Sequence, residues 1–276
     1  MLFGINQNDI NCEFACCKEK MDLVNYLKSL DFTCNSILLD IETGNIIDVF
    51  NGCQDIRSKK VKSIIPPGTC YRMKPSHMIR SAYVATKTGF DIDKEDIQAI
   101  HSNDISAFDE PYRLMSTRCM NEILSTNSCE RGLQLLDKIG ILGKEFPVLQ
   151  RKLTNGQINF DILKYINNNI QEESDSLKID YRTILQFLSI FECEEQNINK
   201  FYFYNEYKQH ISKILQLSVH YNKFLGNLSI TDIDKLMSDQ HIKPKYRRAV
   251  LKTILDLKDI KSIVKINNDT PLDPDI

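Results

Sequence analysis

The apolar positions of this chain change period near Pro75, which divides a strand-bearing start from a helical remainder. Within residues 9–20, INCEFACC alternates apolar and polar side chains and predicts a strand, and Asp22 to Leu30 is amphipathic and predicts a helix. The β-branched run CNSILLDI leads into Glu42-Thr43-Gly44-Asn45, which supplies turn chemistry, and IIDVF returns as a second strand. From Ser76 onward Met78, Ile79, Ala82, Tyr83, Ala85 and Thr86 fall on one helical face, with Gly89 as the expected C-cap. Tyr112 to Leu124 and Glu130 to Lys138 repeat the pattern, with Gly140 and Pro147 as stops. Further amphipathic segments are expected over Phe160–Ile170, Tyr181–Phe191, Lys200–Tyr221, Ile230–Met237 and Tyr246–Leu257.

These elements predict an α+β chain that is mostly α: short antiparallel strands forming a hairpin, then an all-helical body. Boundaries are expected at 1–72, 73–150 and 151–276. QEESDS, Gln171 to Ser176, is the expected hinge, and the polar tail NNDTPLDPDI reads as a frayed end. No repeat of solenoid period is visible.

Composition narrows the class. With 42% apolar and 26% charged residues over 276 positions, the chain matches ordinary globular domains, and no run approaches the roughly 18 apolar residues that cross a bilayer. The opening MLFGINQNDINCEF lacks the pattern of a secretory or organellar leader, so an intracellular location, cytoplasmic or organellar, is expected. A net charge of -2 means that any RNA affinity must come from a local patch. Nine cysteines, an odd number, argue against a disulfide framework, and Cys12, Cys16 and Cys17 lack a second pair at zinc-finger spacing, so no metal is assigned.

Several segments, in order, carry a resemblance. DFTCNSILLD (Asp31 to Asp40), ETGNIIDVFNG, QDI and KPSHMIRSAYVATKTGF (Lys74 to Phe90) are followed by STRCMNEIL and GLQLLDKIGILGKEFP. That succession resembles the class II tRNA nucleotidyltransferases (CCA-adding) and bacterial-type poly(A) polymerases, with their RRDFTxNxL, D-x-x-G-G-x-x-D-L and EDPxRxLRAxRFAxxLGF patterns. The resemblance implies a nucleotidyltransferase head followed by a helical neck and body. It also implies catalysis by two carboxylate-held divalent ions, set by a GG or GS turn and a D-x-D pair.

The departures fall on the chemistry. Ahead of Asp31 there is no GG, GS or D-x-D, and Asp9, Glu13, Glu19 and Asp22 are not paired at that spacing. Ser29-Leu30 replaces the basic pair before DFT. The family's EDxxR, which resembles a protein template reading the incoming base, stands here as Met73-Lys74-Pro75-Ser76-His77, with Lys74 at the acid's position and His77 at the first arginine's. His77 makes that charge conditional on pH. Asp31, Asn35 and Arg80 keep family identities, so the remnant nucleotide-binding candidates are Asp31, Asn35, His77 and Arg80. Phe32, Ile37, Phe50, Phe90 and Leu136 stay apolar and in phase, whereas Arg118 and Glu122, four apart, predict an ion pair.

The resemblance also implies RNA contact along the later elements. The candidates are Arg57, Lys59, Lys60 and Lys62; Lys144, Arg151 and Lys152; and Lys243, Lys245, Tyr246, Arg247, Arg248 and Lys252, where Tyr246 could stack on a base. The alternative for these positions is a solvated helix face. The run Tyr202, Phe203, Tyr204 and Tyr207 is expected in the core.

Loss of catalytic residues beside a retained scaffold predicts a non-catalytic relative acting as an RNA-binding or structural subunit of a ribonucleoprotein. The alternatives are one subunit of a split RNA 3′-end nucleotidyltransferase, or an N-terminally incomplete one. No cofactor is expected, magnesium entering only if a partner chain supplies the carboxylates. A sheet edge around Ile37, Leu39, Ile47 and Val49 is expected to need cover from Met1–Phe14, a second copy or a partner protein.

Overall fold

Phe32 is fully buried and pinned by an antiparallel bridge to Ser63. The computed structural model describes residues 2–7, 10–15, 20–103, 107–110, 112–170, 181–191, 200–201, 208–222, 224 and 227–269. The expected hinge, the Tyr202–Tyr207 aromatic run and the end of the tail lie outside them, as do Cys16 and Cys17.

Strand β1 (Leu2–Gln7) pairs antiparallel with β2 (Ile10–Ala15), which realises the INCEFACC strand. Helix α1 (Lys20–Ser29) follows. The expected strand over CNSILLDI is much shorter. Thr33–Asn35 forms a 3-10 turn, leaving only β3 (Leu38–Leu39) and β4 (Ile46–Ile47) as the hairpin. The turn is favoured because Asp31 Oδ1 accepts from the side-chain amide of Asn35 at 3.0 Å, a local alternative to strand pairing. Helix α2 (Gly52–Arg57) then leads to β5 (Lys60–Val61), which pairs in parallel with the distant β6 (Asp91–Ile92).

Pro67 opens α3 (Pro67–Met73), and α4 (Ser76–Thr88) ends at Gly89, whose φ of 74° provides the expected left-handed cap. Helices α5 (Lys94–His101), α6 (Arg113–Leu124), α7 (Cys129–Lys138) and α8 (Ile141–Glu145) follow. Pro147 does not act simply as a stop. It is the first residue of α9 (Pro147–Thr154), where its missing N–H costs no hydrogen bond.

Helices α10 (Phe160–Asn169) and α11 (Tyr181–Phe191) match the periodicity closely. The expected Lys200–Tyr221 helix is described only as α12 (Lys208–Asn222), Lys200 lying in a turn. Helix α13 (Ile230–Asp239) carries a reciprocal capping box between Ser229 and Asp232. The last helix, α14 (Pro244–Asp269), extends well past the expected Leu257 because Ile260 and Val264 keep the buried stripe in phase.

Helix α4 packs on α6 and α7, and α14 packs on α10, α11, α12 and α13. One apolar cluster runs from Phe32 to Val264. At its centre Phe108, Phe146, Phe187, Phe191 and Phe201 meet with ring centroids 4.8 to 5.8 Å apart. Phe32 and Leu136 are fully buried, and Ile37, Phe50 and Phe90 are half-buried. No helix among the described residues is long and apolar enough to cross a membrane.

Candidate functional site

The start of α4 faces the Asp31–Asn35 turn. Thr33 N–H donates to the Lys62 carbonyl at 2.9 Å, which fixes the turn against β5. Asp31 is buried, and its Oδ1 accepts from the Phe32 amide at 2.8 Å as well as from Asn35, while Oδ2 accepts from Arg80 Nε. Burial would raise the Asp31 pKa, but the Arg80 charge and these donors outweigh it and hold the carboxyl below its ordinary value. Burial likewise opposes the Arg80 charge, and the Asp31 carboxylate more than restores it. The three residues Asp31, Asn35 and Arg80 are therefore brought together as one closed cluster.

His77 lies beside them, one turn earlier on α4. Its ring is 6.3 Å from that of Phe32, and its Nδ1 is 3.6 Å from Cys70 Sγ. Burial, helped by the Lys74 and Arg80 charges and opposed by Asp31, pushes the imidazole down to about 4. The position is therefore neutral at physiological pH, and the charge of the arginine it replaces is absent. The Cys70 thiol, buried and near Asp96, is pushed up to about 11, which leaves it protonated and unreactive.

Lys74, the other departure from the family pattern, is also engaged by the protein. Its ammonium donates to the Ser29 carbonyl at 2.9 Å, at the C-terminal end of α1, where a cation complements the helix dipole. An aspartate at this position would set like charge against that end.

The hairpin that follows Asp31 carries polar residues whose roles sequence reasoning missed. Asp48 accepts from the amides of Gly52 at 2.7 Å and Cys53 at 2.9 Å, capping α2. Asp55 accepts from the Thr33 hydroxyl at 2.7 Å. Asn51 sits at φ 59°, where the family pattern has glycine. A Cβ on Gly52 would lie 2.2 Å from the Thr33 carbonyl oxygen, so only glycine allows this approach. The D-x-x-G-G-x-x-D-L spacing was the signal for all of these.

A second buried carboxylate was also missed. Asp96 is fully buried, accepts from the Tyr71 hydroxyl at 2.7 Å and lies 3.3 Å from the Ser63 amide. Burial raises its pKa. Asp93 as the N-cap of α5 was the available signal.

These carboxylates do not fit a two-ion centre. Asp31 is closed by Arg80, Asp48 by backbone amides and Asp55 by Thr33, and no group of three potential ligands converges among the described residues.

The basic candidates are dispersed. Arg57 and Lys59 are exposed and Lys60 and Lys62 half-buried on the α2–β5 stretch. Lys144 donates to the Asn103 carbonyl at 2.6 Å, Arg151 is exposed and Lys152 is half-buried. Near the C-terminus, Lys243 and Arg248 are exposed, Arg247 pairs with Asp234 at 3.6 Å, and Lys252 lies 4.4 Å from the Tyr181 ring centroid. Tyr246 is half-buried against the core, and the Lys245 side chain lies outside the described residues. The expected Arg118–Glu122 ion pair is not formed among the described residues; Arg118 is exposed and Glu122 half-buried.

Comparison with known proteins adds the similarities that follow. Residues 8–62 match the model of the poly A polymerase head domain. The CCA-adding enzyme of Lactobacillus helveticus is 29% identical over 77 residues, 28% of this chain and 19% of the relative. That of Enterococcus faecalis is 32% identical over 74 residues, 27% of this chain and 18% of the relative. The matched stretch thus spans about a fifth of the length of these relatives. A tRNA nucleotidyltransferase structure, complexed with a primer tRNA and an incoming ATP analog, shares the fold with a TM-score of 0.55. It is 16% identical, with 96% of this chain and 79% of that one covered. The head match, the curated relatives and the common mostly helical α+β fold point the same way: residues 8–62 are similar to the poly A polymerase head domain, and the chain shares the fold of the tRNA nucleotidyltransferase structures.

Proposed function

We propose that this chain is a tRNA nucleotidyltransferase-like protein that binds RNA without itself adding nucleotides, serving as an RNA-binding or structural subunit of a larger ribonucleoprotein. The observation that carries this reading is the inward engagement of the template positions. Lys74 caps α1, His77 is buried and neutral, and Arg80 is closed on Asp31. A base-reading site needs donors and acceptors pointed at the ligand, because recognition depends on groups left unpaired until the right base arrives. The metal chemistry of the family needs converging carboxylates, and those described here already hold protein groups.

RNA binding is supported by the neighbour solved with a primer tRNA, whose fold this chain shares. The exposed basic residues Arg57, Lys59, Lys243 and Arg248, with Lys60 and Lys62 beside them, supply charges able to replace counterions on phosphates.

The test combines two assays on the purified chain. With magnesium, labelled CTP or ATP, and tRNA lacking its 3′-terminal CCA, no extended product is expected, while filter binding of the same tRNA should saturate. Addition of CMP or AMP at the rate of a CCA-adding enzyme would overturn the non-catalytic part. Absence of tRNA binding at low salt would overturn the RNA part.

A further inference from the structure

The hairpin of β3 and β4 is apolar on both sides. Leu38 opposite Ile47 forms the inner, half-buried pair, whereas Leu39 opposite Ile46 forms the outer pair, 63% and 66% exposed. Ile41, 76% exposed, and Val49, 44% exposed, extend the outer surface. A solvated hairpin ordinarily alternates apolar and polar faces, so a β-branched and leucine outer face is one built for contact.

The charges within it have one sign. Asp40, Glu42 and Asp48 are the ionisable residues between Leu38 and Val49. The Thr43 hydroxyl holds the Asp40 carboxyl below its ordinary value, and amide donors do the same for Asp48 against the effect of burial. Both stay ionised at neutral pH, and Glu42 is exposed beside them.

That sign selects the occupant. RNA phosphates are repelled. A second copy docking through the same face would set these carboxylates against their equivalents. Residues 1–19, 171–180, 192–199 and 270–276 each carry net negative charge, so these four segments are disfavoured too.

We infer that the outer face of this hairpin docks a basic, apolar polypeptide segment of another protein, its aliphatic side chains covering Leu39, Ile41 and Ile46 and its lysines or arginines meeting Asp40 and Glu42. The assignment rests on the subunit reading but not on RNA binding. None of its residues belongs to the basic stretch after α2.

The probe is a fluorescent peptide of alternating valine and lysine, compared with its valine and glutamate counterpart by anisotropy on the full chain. The lysine peptide should bind, weaken with salt, and lose about tenfold or more in affinity with Leu39→Thr/Ile46→Thr, which keeps strand-forming residues. Circular dichroism and tRNA affinity of that variant should match the parent. Equal binding of both peptides, no binding of either, or indifference to the double variant overturns the proposal. So does light scattering that shows a dimer for the parent and a monomer for Leu39→Thr/Ile46→Thr, which would assign the face to a second copy.

Discussion

His77 illustrates how a single replacement changes the chemistry of a position. An arginine keeps its charge when buried, but an imidazole is left neutral by the same burial, here titrating near about 4 against an ordinary 6.5. Between those values the unfolded chain holds a proton that the folded chain lacks, so stability rises with pH across that window and falls on acidification. Moving from about pH 7 to about pH 4.5 should cost about 2 kcal/mol through this residue. Asp31 titrates outside that window: its lowered pKa contributes stability above the ordinary carboxylate value that is lost only at lower pH. Urea titrations of the parent and His77→Gln at both pH values should show the smaller loss in the variant. An identical loss in both would exclude His77 as the source. The identities of Asp31, Asn35, His77 and Arg80 were legible in the sequence. The closed arrangement was not, since Asp31 and Arg80 are 49 positions apart and no local pattern says which donor a carboxylate meets.

Among the elements, length decided what could be read. Helices α4, α10 and α11 repeat their apolar stripe over several turns, and their boundaries follow from it. Helices α2, α3 and α8 are too short to show a period, and β5 with β6 is a pairing between distant segments, so neither kind left a local trace. Helix α2 exists where it does because Gly52 lets its first turn touch the Thr33 carbonyl. Gly52→Ala should therefore destabilise by about 2 to 3 kcal/mol, the cost of forcing backbone apart in a packed site. Gly68→Ala, in α3 with open space around it, should instead be neutral or stabilise by about 0.5 to 1 kcal/mol. Chemical denaturation of the two variants separates them, and equal midpoints would refute the contact argument.

For the whole molecule, affinity for an anionic polymer depends on where exposed cations gather, because the net charge is only -2. If the stretch after α2 carries the RNA, Lys59→Ala/Lys60→Ala/Lys62→Ala should lower the slope of log affinity against log salt by about 2 in magnitude. Arg247→Ala/Lys252→Ala should change it less, since one cation already meets Asp234 and the other the Tyr181 ring. The reverse order would move the RNA surface to α14. Asp96 has a different consequence at this scale. Because one buried carboxylate receives Ser63 beside β5, Tyr71 from α3 and its own helix α5, the strand start and the helical remainder share a fastening that no local fluctuation can release halfway. Amide hydrogens around residues 60–63 should then exchange with solvent only in openings that also free α3 and α5, making the sheet remnant part of one cooperative unit rather than a loose appendage.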